Sequence, residues 1–300
     1  MTSASGVPPL AAFVPLGERP FTRIRRVLAR DPMAMVGVAI VVLVLVLALF
    51  GQWIAPYPEQ GLGSPRPSLR GLAPGAEYLF GTDQLGRDVL SRIIMGARPA
   101  LLISVFVVLL AMVIGIPLGA IAGYRGGWVD QVLMRVTEVF QSFPPLLLAM
   151  VTVAILGPSL VNAGIALAVS WWPWYARLVR AEAQSLRGRP FVEAARAIGV
   201  PTWRIIPRHI LRNSLTPILV QATVDIGSVV LAAGALAFIG LGAQPPEPDW
   251  GLMVAEGRGL IFTQWWISTF PGLALFVTVL GFNLIGDSLR DIFDPRSVKR

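Results

Sequence analysis

The stretch from Met33 to Ile54 constrains this chain most. Between Val36 and Phe50 no side chain is polar or charged. A helix of about 20 such residues, rising 1.5 Å each, crosses a hydrocarbon layer of about 30 Å. The stretch predicts a membrane span, and similar ones occupy roughly 99–123, 132–156, 160–178, 214–241 and 267–289. Six transmembrane helices follow, and the expected fold class is an all-α polytopic membrane protein. Composition agrees: 55% of residues are hydrophobic and 14% charged, more apolar surface than one soluble core buries. The first segment is too long for a cleavable leader and has no convincing cleavage site after it.

The segments between the spans set the organisation. Residues 1–32 read as a tail that becomes basic, and 33–54 as the first span. Residues 55–97 read as a Pro/Gly-rich loop. In that loop Asp83 is positioned to cap a short helix with Leu85, Val89, Leu90, Ile93 and Ile94 on one stripe and Arg87, Asp88 and Arg92 elsewhere. That pattern predicts a helix lying in the membrane interface. Residues 98–290 form the core, with a basic loop at 185–213 and a proline-rich loop at 242–267, and 291–300 form a second tail. Gly115, Gly119 and Gly123 recur every fourth residue, a spacing that lets another helix approach closely. The alternative is glycine simply tolerated in lipid. Pro117 should kink its helix, and Phe143-Pro144-Pro145 interrupts the third span.

Charge orients the chain. The net charge of +8 comes almost wholly from arginine, and Lys299 is the lone lysine. In a soluble domain this balance would suggest nucleic acid; here it sets topology. Nineteen arginines and lysines lie in the two tails with the adjoining Arg290, the 124–135 turn and the 177–212 loop, against six in the opposite segments. The richer side should be cytoplasmic, with both termini on it. The chain has no cysteine and one histidine, so thiolate chemistry and a zinc cluster are excluded. No phosphate-cradling glycine–lysine loop and no nucleophile–base constellation are visible. The chain therefore reads as a non-enzyme without a bound cofactor.

The clearest polar interruption is Pro190 to Asn213. Pro190 suits a first helical position, Phe191 to Ile198 are good helix formers, and Gly199 suits a helix stop. Pro201 opens a second short helix with Trp203, Ile206 and Ile210 at helical spacing. The alternative is an amphipathic loop lying on the membrane. Glu193-Ala194-Ala195, three residues, then Gly199, with His209, Leu211 and Asn213 beyond, resembles the EAA loop of ATP-binding-cassette importer permeases in the dipeptide, oligopeptide and nickel branch. Gly81-Thr82-Asp83 with Gly86-Arg87-Asp88, GIPLGAIAGYRGGWVDQVLMR at 115–135, LGAQPPEPDWG at 241–251 and FPGLALFVTVLGFNLIGDSLRDIFDPR at 270–296 resemble the same branch, in its C-type permease. One position departs from it: Arg212 stands where proline is usual.

The resemblance implies the type I importer transmembrane fold and a particular assembly. A second homologous permease, two ATPase subunits carrying ATP and magnesium, an extracytoplasmic substrate-binding protein and membrane lipid would be the partners, with no nucleic acid. It implies ATPase coupling through Glu193, Ala194, Ala195, Gly199, His209 and Asn213. It also implies an outer scoop with Pro245, Pro246, Trp250 and Gly251, a peptide cargo and a prokaryotic inner membrane. Nickel chelate or glutathione is the alternative cargo. A stand-alone secondary transporter is a remote alternative, since it would need several carboxylates at mid-membrane and Asp225 is nearly alone. Asp225 either lines the peptide path or is satisfied inside the bundle by Thr223, Ser228 or a neighbouring helix.

Overall fold

The computed structural model describes residues 31–293. The two tails, 1–32 and 291–300, fall almost wholly outside them. Helix α1 spans Pro32–Ile54 and begins with the Asp31 carboxylate accepting from Met33 N at 2.9 Å. Helix α2 spans Val89–Arg125, α3 Gly127–Gln141, α4 Pro145–Leu156 and α5 Leu160–Leu186. A short α6, Pro190–Ala197, is followed by α7, Thr202–Ile205, a π turn at Ile206–Leu211 and α8, Arg212–Phe238. The last two are α9, Trp250–Gly257, and α10, Trp266–Phe293. An isolated bridge between Thr82 and Asp88 is the one extended pairing among the described residues.

Four helical stretches are long and apolar enough to cross a membrane: α1, α2, Thr202–Phe238 and Trp266–Asp291. The α3–α4 pair is apolar enough to make a fifth if its two helices count as one span, and it is bent by 83° at Ser142–Pro144. Proline at 144 and 145 explains the break, because each lacks an N–H and the residue before a proline disfavours helix. Helix α5, expected as a further span, is less apolar than these and falls outside that set. Its 27 residues are ample for the hydrocarbon layer, and its tryptophans are tolerated because it is packed among α2, α4 and α8. Large apolar side chains elsewhere face outward, among them Leu43, Leu49, Val113, Val151 and Ile155. That is the surface lipid requires.

Three boundaries differ from the expectation. The interfacial helix capped by Asp83 does not form. Asp88 is the N-cap, its carboxylate accepting from Ser91 N at 2.8 Å, and the helix it starts runs unbroken into the second span, through Pro99 and Pro117, for 37 residues. The expected boundary at 97/98 therefore lies inside α2. The second helix of the 190–213 loop likewise merges with the fifth span. Its π turn sits at Pro207, which cannot donate to the preceding turn.

Helices α2 and α5 form the closest long contact. A Cβ placed on Gly115 would stand 2.4 Å from Trp172 O, on Gly119 2.2 Å from Ala176 O, and on Gly123 2.4 Å from Arg180 O. All three glycines face α5, so backbone meets backbone along three turns. On the periphery, α1 packs on α10 in the same manner: Gly37 meets Leu284 and Gly281 meets Ile40.

Candidate functional site

The EAA segment folds as its turn chemistry dictates. Pro190 opens α6, and Gly199, at φ +81°, reverses the chain after it. Val200 N then donates to Ala195 O at 3.0 Å. The inner face is apolar: Val192 packs with Ile205, Ile210, Tyr124 and Ala183, and Ala195 is buried. Glu193 and Ala194 are exposed on the outer face, beside Ile198 and Phe191. Of the two alanines, Ala194 is thus the one open to a partner, while Ala195 seats α6 on the rest of the chain. His209 lies with its ring 6.3 Å from Phe191, and Asn213 donates to His209 O at 2.6 Å. Both therefore brace the loop's second arm. Arg212 is exposed as the first residue of α8.

A second constellation sits at the opposite end of α2, and sequence reasoning missed it. Arg87 and Arg92 are buried, 2% and 0% exposed. Arg87 Nε pairs with Asp83 Oδ2 at 2.6 Å, and Arg92 Nη1 pairs with the same oxygen at 2.9 Å. Both arginines also reach Glu256 Oε2, at 3.1 and 2.6 Å. Asp83 Oδ1 accepts from the backbone N–H of Leu85 and of Arg87. Gln60 Oε1 accepts from Asp88 N at 2.9 Å. Two carboxylates shared by two guanidinium groups satisfy a charge cluster that could not stay buried unpaired. The spacing of Asp83, Arg87 and Arg92 was legible; their partner Glu256, in α9, carried no local signal.

The proline-rich outer loop is pinned to this cluster. Trp250 is 2% exposed and donates Nε1–H to Ile93 O at 2.9 Å. A Cβ on Gly251 would stand 2.1 Å from Gly234 O, so α9 lies directly on α8. Asp249 caps α9, accepting from Leu252 N at 2.9 Å, and its burial raises its carboxyl above the ordinary range. Pro245 and Pro246 are exposed. Of the four scoop residues, the prolines lie at the outer surface while Trp250 and Gly251 anchor the loop.

Asp225 lies inside the bundle, 6% exposed. Its Oδ1 accepts from Gln221 Nε2 at 3.0 Å. Thr223 and Ser228, named as partners from the sequence, instead donate to the carbonyls one turn back, Leu219 O and Val224 O. Tyr175 and Trp171 of α5 are within electrostatic reach of the carboxylate. Asp225 Oδ2 and Tyr175 Oη, both buried, have no hydrogen-bond partner. Among the described residues no group of three His, Cys, Asp or Glu is placed to hold a metal ion.

Comparison with known proteins fits these features. Residues 115–299 match the family described as binding-protein-dependent transport system inner membrane component, and residues 19–69 match the N-terminal TM domain of oligopeptide transport permease C. The chain is 43% identical over 267 residues to the probable D,D-dipeptide transport system permease protein DdpC of Escherichia coli K12, covering 89% of each. It is 45% identical to the dipeptide transport system permease protein DppC of Alkalihalophilus pseudofirmus, covering 90% of this chain and 88% of that one. It is 42% identical to the glutathione transport system permease protein GsiD of Escherichia coli O6:K15:H31, covering 89% and 88%. A chain of the inward-facing MetNI methionine ABC transporter superposes with a TM-score of 0.54 at 20% identity, covering 68% of this chain and 97% of that one. The fold is thus the type I ABC importer transmembrane domain, and the chain belongs to the family of binding-protein-dependent transport system inner membrane components.

Proposed function

We propose that this chain is one of two permease subunits of an ATP-driven importer of dipeptides and oligopeptides. The observation that carries the reading is the shape of the 190–213 loop. Its apolar face is seated on the chain's own core, while Glu193, Ala194, Phe191 and Ile198 are exposed to solvent. A short helix presented in this way transmits motion when a groove on a neighbour holds it. ATPase subunits would supply that groove, together with ATP and magnesium. This chain would bind no cofactor and catalyse no reaction itself. The arginine-rich side would face the cytoplasm of a prokaryotic cell across its inner membrane, and a substrate-binding protein would dock on the opposite face, at the exposed Pro245–Pro246 loop. Helix α2 links the two faces over about 55 Å.

Peptide cargo rests on the names of the dipeptide permeases to which the chain is similar. Glutathione, itself peptide-like, is the second reading, supported by the glutathione permeases at 42% identity. Purification of the tagged chain from its own membranes, beside Glu193→Arg, tests the assignment. The wild type should bring down a second permease and ATPase subunits, and the charge reversal should release the ATPases or uncouple their activity. Uptake of labelled dipeptide, competed by glutathione, then assigns the cargo. Purification of the wild type alone, with transport in liposomes in the absence of ATP, would overturn the reading in favour of a secondary transporter.

A further inference from the structure

Two clefts meet where α2 ends. One is polar, about 470 Å³, lined by Tyr124, Arg125, Arg187, Glu193, Arg196 and Thr202. The other is apolar, about 400 Å³, lined by Pro117, Ile121, Trp203, Ile206 and Leu211, and it shares Arg125 and Thr202 with the first. Pro117 and Arg125 are eight residues apart, about 12 Å along the helix axis. The apolar cleft therefore lies beside the last turns of a membrane-crossing helix, and the arginine cleft lies just beyond them. Hydrocarbon first and cationic groups next is the order in which a phospholipid presents chain and phosphate.

We propose that the joined clefts hold one anionic phospholipid from the leaflet on the α6 side. Its phosphate would sit among Arg125, Arg187 and Arg196, and an acyl chain would lie against Pro117, Ile121 and Trp203. The charge balance is the first argument. Three guanidinium groups face one carboxylate, Glu193, and no carboxylate lies within ion-pairing distance of Arg125, Arg187 or Arg196 among the described residues. The nearby Asp130 is paired with Arg180, at 2.5 Å, and reaches Arg187 only through a weaker, longer-range attraction. Two positive charges in excess, on side chains suited to bidentate contact with phosphate oxygens, select an anion. The second argument is placement. Arg196 is held over the Tyr124 ring, 5.6 Å from its centroid. Trp203, 66% exposed, stands at the mouth of the apolar cleft with Arg204 stacked 4.5 Å above it. An exposed tryptophan at that depth is the side chain the membrane–water boundary favours. The proposal requires that the chain is embedded in a membrane and that an ATPase docked at Glu193 leaves the Arg125–Arg187 side of the cleft open. A lipid in this place would brace the loop that carries Glu193 from behind.

The test is native mass spectrometry of the full-length chain, with whatever subunits copurify, released from nanodiscs of phosphatidylcholine with or without phosphatidylglycerol. The wild type should retain phosphatidylglycerol in preference to phosphatidylcholine. Arg125→Gln and Arg187→Gln should each cut that retention about fivefold, while Arg125→Lys retains most of it. Equal retention of the two lipids, or unchanged retention in both glutamine variants, would overturn the proposal. So would displacement of phosphatidylglycerol by millimolar inorganic phosphate, which would make the site a free-anion pocket. If the glutamine variants instead lose ATPase subunits in pure phosphatidylcholine, the cleft receives an acidic protein side chain and the lipid assignment fails. Recovery of the second permease with each variant reports folding independently of lipid.

Discussion

Arg92 of α2 meets Glu256 of α9 at 2.6 Å across 164 residues of sequence. Through this contact the loop after α8 is fixed to the outer end of the longest helix in the described chain. The same helix carries Tyr124 and Arg125 at its far end, against the 190–213 loop. One rigid element thus touches the Asp83–Glu256 cluster at one end and the 190–213 loop at the other.

Breaking that ion pair on one side should be worse than removing both partners. Glu256→Gln leaves Arg87 and Arg92 to share the single carboxylate of Asp83, with Arg92 already lacking partners at Nε and Nη2. Removing the sole partner of a buried charge costs about 3–5 kcal/mol, and the loss here is smaller because Asp83 remains. Replacing Arg92 and Glu256 together with leucine should cost less than the sum of the single changes. Thermal unfolding of the detergent-solubilised variants measures the difference. Additive losses would show that the pair is not coupled.

Gly119→Ala should separate α2 from α5. The new methyl would stand 2.2 Å from Ala176 O, a backbone atom that cannot rotate away. Overpacking of this sort costs about 1–3 kcal/mol. Gly259→Ala is the control, since a Cβ there meets nothing within 4 Å. Comparison of yield and melting temperature for the two variants checks this expectation.

Asp249 gives a pH signature. Burial raises its folded pKa above 3.8, so its neutral form suits the folded state. The sign follows from linkage. The group opposes folding least below pH 3.8, and its charging penalty grows as pH rises through the raised folded value. Asp249→Asn keeps an acceptor for Leu252 N and removes the charge. The variant should melt higher than wild type at pH 7, with the gain shrinking towards pH 4. A gain that grows on acidification would contradict the assignment.

Asp225 is proposed to sense the charge of the cargo. Gln221 holds its Oδ1, and Tyr175 and Trp171 of α5 are the groups beside its carboxylate. Asp225→Asn preserves size and the Gln221 contact. Uptake of cationic peptides should fall relative to neutral ones, with the stability of the chain little changed. Equal uptake of both classes would remove Asp225 from the peptide path and leave it a bundle residue.

What the sequence determined by itself is what depends on local chemistry. The first span follows from the transfer preference of fifteen consecutive apolar residues, and the turn at Gly199 from the freedom of glycine at positive φ. Pro190 and the Pro144–Pro145 pair mark helix edges because the missing N–H acts on adjacent turns. The tertiary structure alone decided where charge goes. In the sequence Arg87 and Arg92 lie off the apolar stripe; of the two nearby carboxylates Asp88 is taken up as the cap of α2, which leaves Asp83 alone to face both guanidinium groups. Burial became possible only when α9 brought Glu256 to them. The same holds for the helix that Asp83 was expected to cap. Asp83 is drawn into the ion cluster, Asp88 takes the cap, and the loop's last segment becomes the first turns of α2. Local propensity is summed along the chain, whereas a buried charge is settled by whichever partner the fold delivers.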